Sequence, residues 1–128
     1  MKAHGQRFRV LPGLYAVCRL AAGSPIPGWT AGPFVNLTST DDELSIICPA
    51  EGVPAQVRAE RDWRVLKLVG PFPFTAVGVL ASLASPLAHA GISLLSIATY
   101  DTDFLLVKQE VLDDAIAVLV AAGHTRIG

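Results

Sequence analysis

Val35-Asn36-Leu37-Thr38-Ser39-Thr40-Asp41-Asp42-Glu43-Leu44-Ser45-Ile46-Ile47 is echoed 60 positions later, from 35 to 95, by Leu95-Ser96-Ile97-Ala98-Thr99-Tyr100-Asp101-Thr102-Asp103-Phe104-Leu105-Leu106-Val107. In each copy an apolar-alternating run meets a short acidic turn and then a second apolar run, the pattern of two strands joined by a tight connection. Two copies divide the 128 residues into similar modules. They predict a pseudo-symmetric protein of helices and strands with a small-molecule site between modules, rather than an enzyme built around a nucleophile.

Around the second copy the plan is complete. Trp63 to Val69 alternates as a strand and leaves through Gly70-Pro71. Thr75 caps a helix running to about Ala90, with Val77, Leu80, Leu83, Ala84, Leu87 and Ala88 as its apolar face and Gly91 as its stop. Pro86 removes one backbone bond from that helix and bends its last turn. Strands at 92–99 and 103–107 follow. A second helix runs from Glu110 to Ala122, with Val111, Leu112, Ala115, Ile116, Leu119 and Val120 on one face and Asp113 and Asp114 at the positive end of its dipole. Gly123 ends it, and His124 to Ile127 forms a closing strand. The order strand, helix, strand, strand, helix, strand predicts an α+β fold of the ferredoxin-like βαββαβ type, an antiparallel sheet with two helices on one face.

Around the first copy one part is missing. Tyr15 to Leu20 forms a first strand after the turn Pro12-Gly13, and the Gly- and Pro-rich Ala21 to Pro33 leaves room for at most one helical turn near 26–29. Strands follow at 34–39 and 43–48, Pro49 ends the second, and Glu51 to Glu60 holds at most a short helix. About 15 positions separate Leu20 from Val35, against about 26 from Val69 to Leu95. The first module therefore has a degenerate first helix. The division is an N-terminal extension at 1–13, a degenerate module at 14–62 and a full module at 63–128.

Composition narrows the function. Hydrophobic residues make up 52% and charged residues 16%, which excludes a disordered chain and leaves more apolar surface than a small monomer hides. Exposed sheet edges and the Ala-rich helix at 75–90 add to that expectation, so a homodimer is predicted. With 10 basic and 11 acidic side chains the formal net charge is −1, and nucleic acid is not expected as a partner. Arg58, Arg61, Arg64 and Lys67 alternate with Glu60 and Asp62 as a solvated face. Met1 to Val10 contains no apolar signal region, and no run approaches the ~20 apolar residues of a membrane span; a cytoplasmic protein without a membrane partner is expected. Cys18 and Cys48 lack metal-type spacing and are expected to be buried thiols. His4, His89 and His124 lie far apart and are expected to be structural, while Trp29 and Trp63 are expected to be anchors of a core or interface. No nucleophile, zinc, phosphate or dinucleotide motif appears, so catalytic residues, metal and cofactors are all expected to be absent.

The second module, with Gly70-Pro71-Phe72 before its helix, Gly78-Val79-Leu80-Ala81 within it, Ala90-Gly91-Ile92-Ser93 after it and Ala98-Thr99-Tyr100-Asp101-Thr102-Asp103-Phe104 across the strand turn, resembles an ACT domain. Together with Asp42-Glu43-Leu44-Ser45-Ile46-Ile47-Cys48-Pro49 it is similar to the tandem-ACT family related to the aspartate kinase regulatory region and the CASTOR-type amino-acid sensors. The resemblance runs from about Tyr15 to Ile127. It implies a non-enzymatic regulatory protein that binds a free amino acid at the interface of ACT modules and passes the event to a regulated partner protein. The alternative is an ACT-fold interaction or dimerisation module with no ligand.

A free amino acid needs donors for its carboxylate and acceptors for its ammonium group. Phe72, Phe74, Thr75 and Ala76 lie at the strand-to-helix turn, where unpaired N–H groups of a helix start can hold a carboxylate; the competing reading is an ordinary helix cap with Phe72 and Phe74 in the core. Asp101 and Asp103, with Asp41 and Glu43 as counterparts in the first copy, can accept from ammonium or guanidinium, or simply shape the turn. By position in the family, the resemblance extends the site to Ser93, Leu94, Leu95, Thr99 and Tyr100. Arginine-sensing relatives carry an acidic residue where this chain has Ala76, and a small or apolar amino acid fits Ala76, Leu94 and Leu95 better.

Overall fold

A computed structural model describes residues 5–128, so His4 lies outside the described residues. The strands are β1 (Arg7–Val10), β2 (Tyr15–Ala21), β3 (Asn36–Ser39), β4 (Glu43–Pro49), β5 (Ala59–Leu68), β6 (Leu95–Ala98), β7 (Asp103–Lys108) and β8 (Thr125–Arg126), and the helices are α1 (Val79–His89) and α2 (Leu112–Ala121). They fall into two compact units, one of Gly13–Trp63 and one of the residues up to Pro12 with Arg64–Gly128.

In the Gly13–Trp63 unit, β2 pairs antiparallel with β4 (Val17 opposite Ile47), β4 with β3 (Thr38 opposite Ser45), and β2 with the start of β5 (Cys18 opposite Ala59). Between Tyr15–Trp63 and Val17–Glu60 the pairing slips, and Asp62 there takes a left-handed φ of 68°. A β-bulge accommodates the extra residue. Ala16, Cys18, Leu44, Ile46, Cys48 and Val53 form the core on one face, with Trp29 and Val35 packed at its edge. Loop residues thus cover the side where the sequence lacks a helix. A single 3-10 turn at Ala50–Gly52 is all the helical structure after β4.

Cys18 and Cys48 are free, buried and hydrogen-bonded to each other. Burial pushes both thiols up, Cys48 to about 11 with its neighbour Cys18 as the second cause. Both stay protonated and inert at neutral pH. For Cys48 a folded-state value of about 11 above the unfolded one near 9 means that the folded protein holds this proton more tightly, so its stabilisation is full below about pH 9 and is lost as pH rises toward about 11, and the raised Cys18 thiol acts in the same direction. Urea midpoints measured from pH 8 to 11 should fall more steeply for the wild type than for the Cys18→Ala/Cys48→Ala variant; parallel curves would refute this account.

In the second unit the order is β8, β1, β5, β7, β6. Phe8, Leu66, Leu68, Leu105 and Val107 present one sheet face to Leu83 and Leu87 of α1 and to Leu112, Ala115 and Leu119 of α2. Both helices pack on that face, as the βαββαβ plan requires. The segment expected to be an extension contributes a strand: β1 pairs antiparallel with β5 (Phe8 opposite Leu68) and parallel with β8 (Phe8 opposite Arg126). Four residues with one buried Phe carry too weak a period to announce a strand, and the pairing comes entirely from distant partners.

Both helices end alike. Ile92 N–H reaches Leu87 O and Gly91 N–H reaches Ala88 O; His124 N–H reaches Leu119 O and Gly123 N–H reaches Val120 O. These are paired Schellman caps, with Gly91 and Gly123 at φ of 76° and 99°. The start of α1 differs from expectation. Thr75 does not cap it, because Ala76 N–H closes a turn onto Pro73 O and Val77 forms an isolated bridge, which hold 73–77 out of helical conformation. The N-cap is Gly78, with φ of 78° and no side-chain cap bond.

The repeat is real, but its structural register is 59 rather than 60. Thr40 N–H donates to Glu43 O (3.0 Å) and Glu43 N–H to Thr40 Oγ1 (3.2 Å); Thr99 N–H donates to Thr102 O (2.8 Å) and Thr102 N–H to Thr99 Oγ1 (3.3 Å). Ser39 faces Leu44 across the first turn as Ala98 faces Asp103 across the second. The counterpart of Asp103 is therefore Leu44, not Glu43. Alignment by carboxylates misses this because the threonines, not the acids, close the turns.

Candidate functional site

β5 leaves its sheet through a cis Gly70–Pro71 peptide, and the following strap is stitched to the β6–β7 turn. Phe72 N–H donates to Asp101 O (2.9 Å), and buried Thr102 donates its hydroxyl to Leu68 O at the end of β5 (3.0 Å). Thr99 Oγ1 donates to Thr102 O (2.9 Å). The acidic turn is thus anchored from both sides by the fold itself. Gly70 has no room for a side chain, since a Cβ would lie 2.9 Å from Asp101 O and 3.2 Å from Phe72 N. Gly70→Ala should destabilise by about 1–3 kcal/mol as strap and turn separate, read from urea denaturation; a neutral substitution would show that the stitching does not matter.

Between strap, turn and α1 lies a cleft of about 480 Å³, a volume in the range of small-molecule sites. Its lining includes Phe72, Phe74, Ala76, Thr99, Tyr100, Asp101 and Asp103 from the expected set, and also Pro73, Gly78, Val79, Leu80, Ala81, Ala98 and Thr102. Thr75, Ser93, Leu94 and Leu95 are not among its lining residues. Leu94 packs against the core, Ser93 is exposed, and Leu95 pairs with Leu106 in the sheet. Four of the added residues, Gly78, Val79, Leu80 and Ala81, come from the N-cap and first turn of α1. Gly78-Val79-Leu80-Ala81 stood out in the sequence only as a family feature, and the displaced helix start is what brings it to the wall.

The walls differ electrically. On the helix side, the first N–H groups of α1 have no intrahelical acceptor, Gly78 brings no side-chain cap, and no acidic residue sits in the first turn. The dipole leaves partial positive charge there. On the turn side are the carboxylates of exposed Asp101 and half-buried Asp103. Asp103 stands where the other hairpin has Leu44, which is 5% exposed, so a core-facing position carries charge in this copy alone.

The aromatic residues do not behave as core. Phe72 packs partly against it, but Phe74 is 76% and Tyr100 81% exposed, their rings 5.1 Å apart and edge to face. Val77 beside them is also exposed. Three apolar side chains of the strap and turn that frame the cleft are thus left in water. Among the described residues no group of three or more His, Cys, Asp or Glu could hold a metal ion, and no helix is long and apolar enough to cross a membrane.

The ACT-domain profile matches residues 58–121, which hold the cleft and both its walls. The chain belongs to the ACT-domain family. A second profile, that of an N-terminal domain, matches residues 13–56 of this ACT protein. The bovine (Bos taurus) cytosolic arginine sensor for mTORC1 subunit 1 is 33% identical over 97 residues, covering 67% of this chain and 30% of the sensor. The chain thus spans less than a third of that relative's length. A structural-genomics protein of Agrobacterium tumefaciens superposes with a TM-score of 0.92 at 39% identity, covering 98% of this chain and 94% of that one. The regulatory subunit of aspartate kinase from Thermus flavus shares the fold, with a TM-score of 0.65 at 11% identity over 94% and 99% of the two chains.

Proposed function

We propose that this ACT protein is a cytoplasmic, non-enzymatic sensor that takes a free amino acid in the cleft between α1 and the β6–β7 turn. One observation carries the reading: uncapped N–H groups of Val79, Leu80 and Ala81 form one wall and Asp101 and Asp103 the other. A zwitterion matches that pair, its carboxylate toward the helix start and its ammonium toward the acids. Ala76 and Leu80 leave apolar space for a side chain, which favours a small or apolar amino acid. The kinship with a cytosolic arginine sensor and the shared fold with a kinase regulatory subunit support a regulatory role, with a partner protein as the regulated target. Ligand binding stabilises by mass action, so a thermal-shift screen of the twenty amino acids should pick out one chemical class. No shift with any of them at millimolar concentration would sink the proposal.

The exposed Phe74, Val77 and Tyr100 favour a second reading, a dimerisation surface on the same rim. The two readings meet if a second copy supplies the other ACT module that closes the cleft. Light scattering beside the thermal-shift screen separates them, because a pure dimerisation module would be dimeric and show no shift with any amino acid.

A further inference from the structure

We infer that His124 is the positioning residue of the cleft, acting as a surrogate helix donor that Pro86 makes necessary. Pro86 has no N–H, so the carbonyl four residues earlier, that of Ser82, loses its normal intrahelical partner. In the fold that carbonyl lies 2.8 Å from His124 Nε2. The other ring nitrogen, Nδ1, accepts from Gln6 N–H at 2.9 Å. An acceptor at Nδ1 leaves the proton on Nε2, and Nε2–H is therefore the donor that Ser82 lacks.

The imidazole is held as firmly as the carbonyl it serves. His124 is 4% exposed, and its own N–H is fixed by the cap of α2 through Leu119 O (3.0 Å). Gly5, next to Gln6, lies against the Gly123 carbonyl so closely that a Cβ there would collide with it. One side chain thus ties the start of β1, the end of α2 and the middle of α1.

The tie reaches the cleft through Ser82. Its N–H donates to Gly78 O (3.0 Å) and its hydroxyl to Val79 O (2.7 Å), while its carbonyl accepts from His124. Gly78 and Val79 line the cleft. Holding Ser82 therefore sets the direction of the first-turn N–H groups, and a free Ser82 carbonyl would let that turn rotate. As it concerns ligand, the inference rests on the amino-acid reading above; as it concerns α1, it does not.

A double-mutant cycle with Pro86→Ala gives the test, since alanine at that position returns a backbone N–H to the Ser82 carbonyl. His124→Ala should lower the folding equilibrium constant about 5-fold or more further in the wild type than in the Pro86→Ala background, the loss of packing and of the Gln6 bond being common to both. Additive effects would overturn the inference. Should His124→Ala fail to fold, His124→Asn, which keeps an acceptor for Gln6 but is too short to donate to Ser82, takes its place in the cycle, and His124→Gln, whose longer amide keeps a donor, should lose less than His124→Asn.

Native-state hydrogen exchange supplies a readout that a merely packing role would not move. In the His124 variant the amides of Ser82 and Leu83 should be accelerated more than those of β7 in the same unit, whereas equal acceleration throughout that unit refutes positioning. The amino-acid thermal shift should weaken in His124→Ala and return in the double variant. A wild type that binds no amino acid would fell the ligand reading alone, and the cycle and exchange would still decide the role of His124.

Discussion

Leu105→Ala should cost about 3–4 kcal/mol and lower the melting temperature by roughly 10 °C. Leu105 is fully buried on β7 and shares one core with Leu66, Leu68, Leu83, Leu87 and Leu119. Its neighbours belong to the sheet and to both helices, so none can move into the space without disturbing another. The loss therefore includes a cavity as well as transfer of the removed methine and methyl groups. Calorimetry or urea denaturation measures it, and a cost below about 1 kcal/mol would mean that the helix layer collapses freely onto the sheet. Leu105 also lies two residues after Asp103 on the same face of β7, so the variant tests whether the cleft's acidic wall depends on this core.

Asp103→Ala should weaken the amino acid by about 10-fold or more, because a charge-assisted bond to an ammonium group contributes about 1.5–3 kcal/mol. Asp103→Leu makes the sharper comparison. The matching residue of the other hairpin is buried Leu44, so leucine at 103 should stabilise the unliganded protein by about 0.5–2 kcal/mol while removing the ligand response. Higher baseline stability with loss of the thermal shift is the signature of a position kept polar for binding. If Asp103→Leu destabilises and leaves the shift intact, the carboxylate belongs to the turn and the ammonium group is held elsewhere. Isothermal titration of the three proteins distinguishes these outcomes.

The contrast between Asp103 and Leu44 was only half legible in the chain. Apolar alternation in 35–47 and 95–107 announces two hairpins, yet aligning their acidic residues shifts the register by one and pairs Asp103 with Glu43. Hydrogen bonds from Thr40 and Thr99 set the true register, and those bonds are local chemistry that a charge pattern hides. The same holds for α1. Its apolar stripe is visible in Leu80, Leu83 and Leu87, but the chain alone puts the cap at Thr75, whereas in the fold the strap closes its own turn onto Pro73 and the N-cap falls at Gly78.

By itself the sequence determined what repeats over short distances: the strand periods, the helices stopped by Gly91 and Gly123, the missing helix before Val35, and the acidic turn at 101–103. These features depend on neighbours within a few residues, and their physics is written along the chain. Tertiary structure alone decided that Arg7–Val10 inserts between β5 and β8, that Phe74 and Tyr100 meet in solvent, and that His124 donates to a carbonyl 42 positions away. Each of those depends on partners brought together by burial of the helix and sheet faces. Whether a carbonyl has lost its donor can be read from Pro86; which residue replaces that donor follows only from packing.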